Sequence, residues 1–156
     1  ALGMRKRGQD RRVFVMLGDG ECNEGSVWES AAAAAELGLG NLTAIIDENG
    51  FRNDGPNTTY EGRIVLANVW RAFGWNVLEI DGHNHEAILA AFREAQALAD
   101  IPTAIVARTI KGKGVDFMEG NNDWHHNRIT ESIMKKSLEA LEKSKGVSET
   151  LGETGV

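Results

Sequence analysis

The sequence contains few cysteine, proline and aromatic residues. One cysteine and two prolines occur in 156 residues, and aromatic side chains make up 6% of the chain. A single cysteine excludes an internal disulfide and fits a protein of a reducing compartment. The composition therefore argues against a small secreted domain stabilised by disulfides.

Long apolar runs and an excess of positive charge are also missing. No apolar run approaches the ~20 residues that cross a membrane, and no signal-peptide pattern opens the sequence. The formal net charge of −6 argues against binding to the phosphate backbone of nucleic acids. We therefore expect a soluble cytoplasmic protein that binds neither nucleic acid nor membrane.

The chain is rich in the residues of a layered α/β domain, with eighteen glycines and 42% hydrophobic residues. Continuous apolar runs are typical of parallel strands buried on both faces, and helical patterns separate them here. We predict one domain over residues 1–145, and the polar residues 146–156 are predicted to form a flexible tail or linker. The predicted strands are 13–17, 42–46, 75–80 and 103–107, and the predicted helices are 26–37, 64–73, 86–99 and 130–141.

Polar residues follow the first two predicted strands at the point where each strand ends. Asp19 lies between two glycines after the first strand, and Asn49 follows the second strand thirty positions later. One helical pattern separates the two strands, so a crossover connection would bring the two polar segments side by side. Open parallel sheets bind their ligands at this edge.

The residue types at this edge suggest a divalent cation bound to a diphosphate. Carboxylate and amide oxygens such as those of Asp19 and Asn49 are suitable ligands for Mg²⁺ or Ca²⁺. Gly18 and Gly20 let backbone N–H groups approach a phosphate, and the following helix directs its N-terminus towards the anion. Either segment alone would more simply be a tight turn, but the pair at adjacent strand ends favours a site.

The spacing of these segments resembles the thiamine diphosphate motif, and the surrounding sequence resembles the transketolase family. The likeness is greatest to the N-terminal component of transketolases that consist of two polypeptides, and it covers roughly residues 1–130. The matching segments are residues 18–29, 39–42, 70–75, 81–83 and 109–115.

The resemblance implies a three-layer α/β/α fold with a mostly parallel sheet, namely the domain that binds the diphosphate of the cofactor. It also implies that the chain is N-terminally incomplete relative to the family. Thiamine diphosphate and Mg²⁺ or Ca²⁺ are the implied cofactors. The implied metal ligands are Asp19, Asn49 and the Phe51 carbonyl, and the implied cofactor contacts are Gly18, Asp19, Gly20, Glu21, Asn49, Phe51 and His125.

Two further residues match catalytic positions of the family. His125, after Trp124, occupies the place of a histidine that approaches the diphosphate and the reacting carbon, with His126 as the alternative. Glu24 matches an acidic position in a carboxylate network at the subunit interface of the family. Cys22 is expected to be a small buried side chain rather than a nucleophile, since no catalytic base accompanies it.

The implied reaction is transfer of a two-carbon ketol unit between sugar phosphates. It requires a C-terminal transketolase component or domain as partner, in a homo- or hetero-oligomer, and the isolated chain should be inactive. The alternatives are a truncated noncatalytic module and a part of another thiamine diphosphate enzyme, such as deoxyxylulose-phosphate synthase. The noncatalytic alternative arises because Asn53 replaces an apolar family residue and because the sequence after His125 differs from the family pattern.

Overall fold

The computed structural model of the chain describes residues 1–60 and 64–152. These form two compact units, Ala1–Thr109 and a second unit that begins at Ile110. Within the described residues, no helix combines the length and apolar character that a membrane crossing requires.

The first unit contains a parallel four-stranded sheet with helices between its strands. The strand order is β1-β2-β6-β5, and every neighbouring pair is parallel, which confirms the predicted sheet. A small antiparallel hairpin of β3 and β4 follows β2. The strands are β1 Val13–Gly18, β2 Leu42–Glu48, β3 Phe51–Arg52, β4 Gly55–Pro56, β5 Asn76–Asp81 and β6 Thr103–Arg108. The helices are α1 Leu2–Lys6, α2 Gly25–Glu36, α3 Leu66–Ala72 and α4 His85–Ala97, with 3₁₀ turns at Glu21–Asn23 and Thr58–Tyr60.

Side chains of the central strands alternate between the two faces of the sheet, and helices pack against the apolar side chains on each face. On one face, Ile46 and Val106 pack in the main core with Leu66 and Trp70 of α3. On the other face, residues of β2 and β6 line a hollow together with α4. The three-layer α/β/α arrangement is therefore the one that the family resemblance implied.

Aromatic rings fill the core on the α2 and α3 side. Trp70 lies 5.1 Å from Trp28 and 4.8 Å from Trp75, measured between ring centroids. Trp28 Nε1 also donates a hydrogen bond to the Cys22 carbonyl at 2.7 Å. Trp75 Nε1 donates to the Ala31 carbonyl at 2.9 Å. These bonds attach α2 and the turn before it to the core.

The prediction that β1 is buried on both faces was wrong for this chain. In the described residues β1 is an outer strand with β2 as its single neighbour. Its apolar side chains are consequently accessible, with Phe14 49%, Val15 38% and Met16 66% exposed. The apolar run is present, but the sequence of one strand cannot tell how many strands flank it.

The second unit contains a long loop, a 3₁₀ turn at Asn122–Trp124 and helix α5, Glu131–Gly152. The Thr130 hydroxyl accepts the Ile133 N–H at 3.3 Å, so the helix starts where predicted. It continues past the predicted end at 141, so the backbone of 146–152 is helical. Residues 153–156 of the predicted tail lie outside the described residues, and the linker role of 146–156 stays a prediction.

Candidate diphosphate and metal site

The two polar segments meet at the carboxyl ends of β1 and β2. Gly18 pairs with Asp47 in the parallel register of these strands. The Asp19 N–H donates to the Asp47 carbonyl at 3.1 Å, which extends the pairing by one residue. The juxtaposition that the strand–helix–strand pattern predicted is present in the structure.

Asp19 is buried, with 2% of its surface exposed. Its Oδ2 accepts the Gly50 N–H at 3.1 Å and the Asn57 Nδ2–H at 3.2 Å. Its Oδ1 is buried and has no hydrogen-bond partner among the residues that the structure describes. A buried carboxylate oxygen without a donor is costly, and a bound cation would satisfy it.

The surroundings of Asp19 disfavour its ionised form. Burial raises the pKa of this carboxyl, and the negative charge of Asp47 adds to the rise. The hydrogen bonds from Asn57 and Gly50 and the nearby backbone N–H of Gly20 oppose the rise without cancelling it. A cation at Oδ1 would favour the ionised form and so reverse this balance.

The Asn49 side chain is held by two hydrogen bonds. Its Nδ2 donates to Asp47 Oδ2 at 3.1 Å, and its Oδ1 accepts the Phe51 N–H at 3.0 Å. Asp47 is itself held by the Thr109 hydroxyl, which donates to its other oxygen. Because an amide oxygen has two lone pairs, Asn49 Oδ1 retains the capacity to bind a cation.

Gly20 lets the segment after β1 touch the hairpin after β2. A Cβ atom at Gly20 would lie 2.7 Å from Arg52 Cβ and 3.4 Å from the Phe51 carbonyl oxygen. The absence of a side chain therefore brings the Phe51 carbonyl next to the Asp19–Gly20 turn.

Gly18 and Glu21 have a structural relationship that the sequence did not predict. The Gly18 N–H donates to Glu21 Oε2 at 3.2 Å, which closes the turn between them. The Gly18 N–H is thus engaged within the chain, and Gly20 remains the better candidate for donating to a phosphate. Direct contact of Gly18 and Glu21 with a cofactor stays a prediction.

The available ligands fit a hard cation shared with a phosphate. A carboxylate, a carboxamide and a backbone carbonyl are oxygen ligands of the kind that Mg²⁺ and Ca²⁺ prefer. Across the described ranges, no group of three or more His, Cys, Asp or Glu residues is placed to hold a metal ion. A cation at Asp19 would therefore need oxygens from phosphate and water to complete its coordination.

His125 lies in the second unit, next to the 3₁₀ turn that contains Trp124. Lys111 Nζ is 3.0 Å from His125 Nδ1. Since an ammonium group can only donate, Nδ1 is the acceptor, and a neutral His125 then carries its proton on Nε2. His125 and His126 are both exposed, and the choice between them stays a prediction.

Glu24 and Cys22 lie at the start of α2 in different environments. Glu24 is exposed immediately before the helix, and its predicted role at a subunit interface stays a prediction. Cys22 is fully buried, and this burial raises the pKa of its thiol to about 12. The expectation that Cys22 is a buried side chain is confirmed.

Sequence reasoning missed Asn57, which is 2% exposed and donates to Asp19. In the sequence it follows Pro56 within a turn-rich segment, where asparagine is common for local reasons. No signal in the sequence distinguishes it from its neighbours.

Comparison with known proteins decides the family. Residues 5–146 match the family described as transketolase, thiamine diphosphate binding domain. The chain belongs to the transketolase family. It is 39% identical over 140 residues to transketolase-like protein 2 of Homo sapiens, covering 90% of this chain and 22% of that protein.

Two bacterial transketolase relatives are named as subunits. The chain is 37% identical to the 6-deoxy-6-sulfo-D-fructose transketolase subunit SqwG of Clostridium sp., covering 92% of the chain and 52% of that protein. It is 36% identical to one subunit of the apulose-4-phosphate transketolase of Phocaeicola vulgatus, with the same two coverages of 92% and 52%. The chain thus spans about half the length of these relatives or less.

Solved structures of transketolases share the fold. Transketolase from Campylobacter jejuni superposes with a TM-score of 0.77 at 28% identity, over 86% of this chain and 21% of that chain. A transketolase mutant from Pichia stipitis superposes with a TM-score of 0.67 at 24% identity, over 93% of this chain and 25% of that chain. The fold prediction is confirmed, and the transferase family and its thiamine diphosphate-binding domain are established.

Proposed function

We propose that the chain is the diphosphate- and Mg²⁺-binding part of a transketolase that transfers a two-carbon ketol unit between sugar phosphates. The observation that carries this proposal is Asp19, a buried carboxylate with one oxygen held by two donors. Its other oxygen is buried without a partner among the described residues. It lies next to the turn in which Gly20 allows the Phe51 carbonyl to approach.

Each candidate residue has a role that its environment supports. Asp19 Oδ1, the Asn49 amide oxygen and the Phe51 carbonyl would bind the cation, and Ca²⁺ could replace Mg²⁺ there. The Gly20 N–H would donate to a phosphate oxygen at the start of the 3₁₀ turn before α2. When bound, thiamine diphosphate supplies the nucleophilic carbon for cleaving a carbon–carbon bond of a ketose.

His125 would act as a proton donor. Lys111 occupies its Nδ1, so the Nε2–H is the group available to a phosphate oxygen or to a sugar oxygen that gains negative charge.

A pyrimidine-binding partner would complete the enzyme. Two of the relatives are named as subunits, which supports an arrangement in two polypeptides. By the family resemblance, the partner supplies the glutamate that activates the cofactor and the arginines that bind sugar phosphate. Exposed Glu24 would face this partner within a homo- or hetero-oligomer, and the chain alone would be inactive.

Calorimetric titration of thiamine diphosphate into the purified chain tests the proposal. The titration is done with Mg²⁺ and with EDTA, in the presence and absence of a candidate pyrimidine-binding component. We expect saturable heat that requires Mg²⁺, and ketol transfer only in the mixture. Absence of binding heat in every mixture would refute the proposal and favour a noncatalytic module of the same fold.

A further inference from the structure

Asn57 connects the two segments of the candidate site from below the surface. It is 2% exposed, and its backbone N–H donates to the Gly50 carbonyl at 2.8 Å, which closes the hairpin of β3 and β4. Its side chain turns towards the segment after β1, where Nδ2 donates to Asp19 Oδ2 at 3.2 Å. One residue therefore closes the hairpin and contacts the proposed metal ligand.

The orientation of the Asn57 amide is set by a second asparagine. Asn23 Nδ2 donates to Asn57 Oδ1 at 3.4 Å and to the Gly20 carbonyl at 3.1 Å. Because Asn57 Oδ1 accepts from Asn23, Asn57 must present its Nδ2 donor to Asp19. The hydrogen bonds among Gly20, Asn23, Asn57 and Asp19 thus agree in placing the Asn57 Nδ2 against the carboxylate.

As a consequence, the two oxygens of Asp19 have different roles. Asn57 and Gly50 both donate to Oδ2, so rotation of the carboxylate would break two hydrogen bonds at once. Oδ1 is left buried and without a donor among the described residues. With the Gly50 bond alone, the carboxylate would have one restraint and a larger range of orientations.

We propose that Asn57 is a positioning residue that orients Asp19 so that Oδ1 is presented to the cation. This inference rests on the proposed function of the site. Mg²⁺ requires near-ideal octahedral geometry, whereas Ca²⁺ accepts variable coordination. Loss of the Asn57 donor should therefore weaken Mg²⁺-supported binding of thiamine diphosphate more than Ca²⁺-supported binding.

Asn57→Leu removes the donor and keeps a side chain of similar size. Asn41→Leu is the matched control, because the Asn41 side chain also makes two hydrogen bonds, to the carbonyls of Ala1 and Arg11. Asn41 immediately precedes β2, at the opposite end of the strand from the site. Both substitutions should lower the denaturation midpoint. Only the Asn57 substitution should alter the ion dependence of binding.

The measurement is the concentration of Mg²⁺, and separately of Ca²⁺, that gives half-maximal binding of thiamine diphosphate to the full chain by calorimetry. For Asn57→Leu we expect a rise of about tenfold or more with Mg²⁺ and a smaller rise with Ca²⁺. For Asn41→Leu we expect values within about twofold of wild type. Far-UV circular dichroism confirms folding, and Asn57→Ala replaces Asn57→Leu if the leucine variant does not fold.

The possible outcomes separate this inference from the function on which it rests. Wild-type binding that Asn57 substitution leaves unchanged would overturn the positioning role and keep the proposed function. An equal loss with both ions, or an equal loss in Asn41→Leu, would reduce Asn57 to a structural role. Wild-type chain that binds no cofactor under any condition would overturn both.

Discussion

The Asp19 carboxylate accepts the Gly50 N–H at 3.1 Å, although thirty-one positions separate these residues in the chain. This bond joins the segment after β1 to the segment after β2. The oxygen that makes it is not the oxygen that is available to a cation. A substitution can therefore remove metal binding and leave the hydrogen bond between the two segments in place.

Asp19→Asn should separate them. The new side chain keeps an oxygen for Gly50 but loses the charge that attracts a cation, so we expect thiamine diphosphate affinity with Mg²⁺ to fall about tenfold or more. The fold should persist, because burial raises the pKa of Asp19 and the ionised carboxylate is disfavoured in the folded chain. Calorimetry at neutral pH measures the affinity, and unchanged affinity would remove Asp19 from the site.

The same variant should change how stability depends on pH. A raised pKa means that the folded chain binds a proton more tightly than the unfolded chain, so wild-type stability falls as pH rises above the ordinary value of 3.8. Asp19→Asn removes this loss, and its stability relative to wild type should increase with pH across that window. Urea unfolding of both proteins at several pH values checks the sign, and the opposite trend would show that the ionised form is favoured.

Gly20→Ala should disrupt the contact between the two segments. The added Cβ would lie 2.7 Å from Arg52 Cβ and 3.1 Å from Arg52 Cα, so the hairpin backbone must shift. We expect about a tenfold loss of Mg²⁺-dependent cofactor affinity. Gly3→Ala in α1 is the control, since a Cβ atom there would meet nothing within 4 Å. Equal effects of the two substitutions would contradict the steric argument.

Lys111→Met should change the tautomer of His125. Lys111 Nζ lies 3.0 Å from His125 Nδ1 and can only donate, which favours the neutral ring with its proton on Nε2. Nitrogen-15 NMR of the imidazole rings at high pH should show a larger fraction of the Nδ1–H form in the variant. His126 is the internal reference, and an unchanged His125 spectrum would mean that this contact does not set the tautomer.

Cys22 should resist alkylation in the folded chain. It is fully buried, and its thiol has a pKa raised to about 12, so the reactive thiolate is scarce at pH 8. We expect labelling by iodoacetamide to be at least about a hundredfold slower than in concentrated urea. Rapid labelling without denaturant would contradict the burial of this side chain.

The raised pKa of Cys22 also predicts that stability falls as pH rises above the ordinary value of 9.0, because the unfolded chain loses the proton first.

The sheet was predictable because each of its strands carries its own signal. The apolar run before Asp19 and the run before Asn49 indicated strands, and the helical pattern between them indicated a parallel pair. Their side-by-side placement then follows from topology, and Gly18 does pair with Asp47. The residue types at the two strand ends suggested a cation bound to a diphosphate, and the family resemblance added thiamine diphosphate and the proposed role of the Phe51 carbonyl.

The remaining features depend on contacts that no local pattern encodes. Val15 belongs to a run typical of a central strand, yet it is 38% exposed because β1 has a single neighbour in the described residues. Asn57 has the sequence context of an ordinary turn, and its importance comes from hydrogen bonds to residues more than thirty positions away. Residues 146–152 are polar enough to suggest a linker but extend α5.

The position of β1 affects the order in which the molecule opens. Among the described residues β1 is an outer strand with Asp19 one residue beyond its end, whereas β6 has strands on both sides. An outer strand opens at a lower free energy than a strand that has neighbours on both sides. Warming would therefore separate Asp19 from its hydrogen-bond partners while the packing of Trp28, Trp70 and Trp75 is still intact. A diphosphate bound across β1 and β2 would raise the cost of that first opening, and hydrogen exchange in β1 would slow more than exchange in β6.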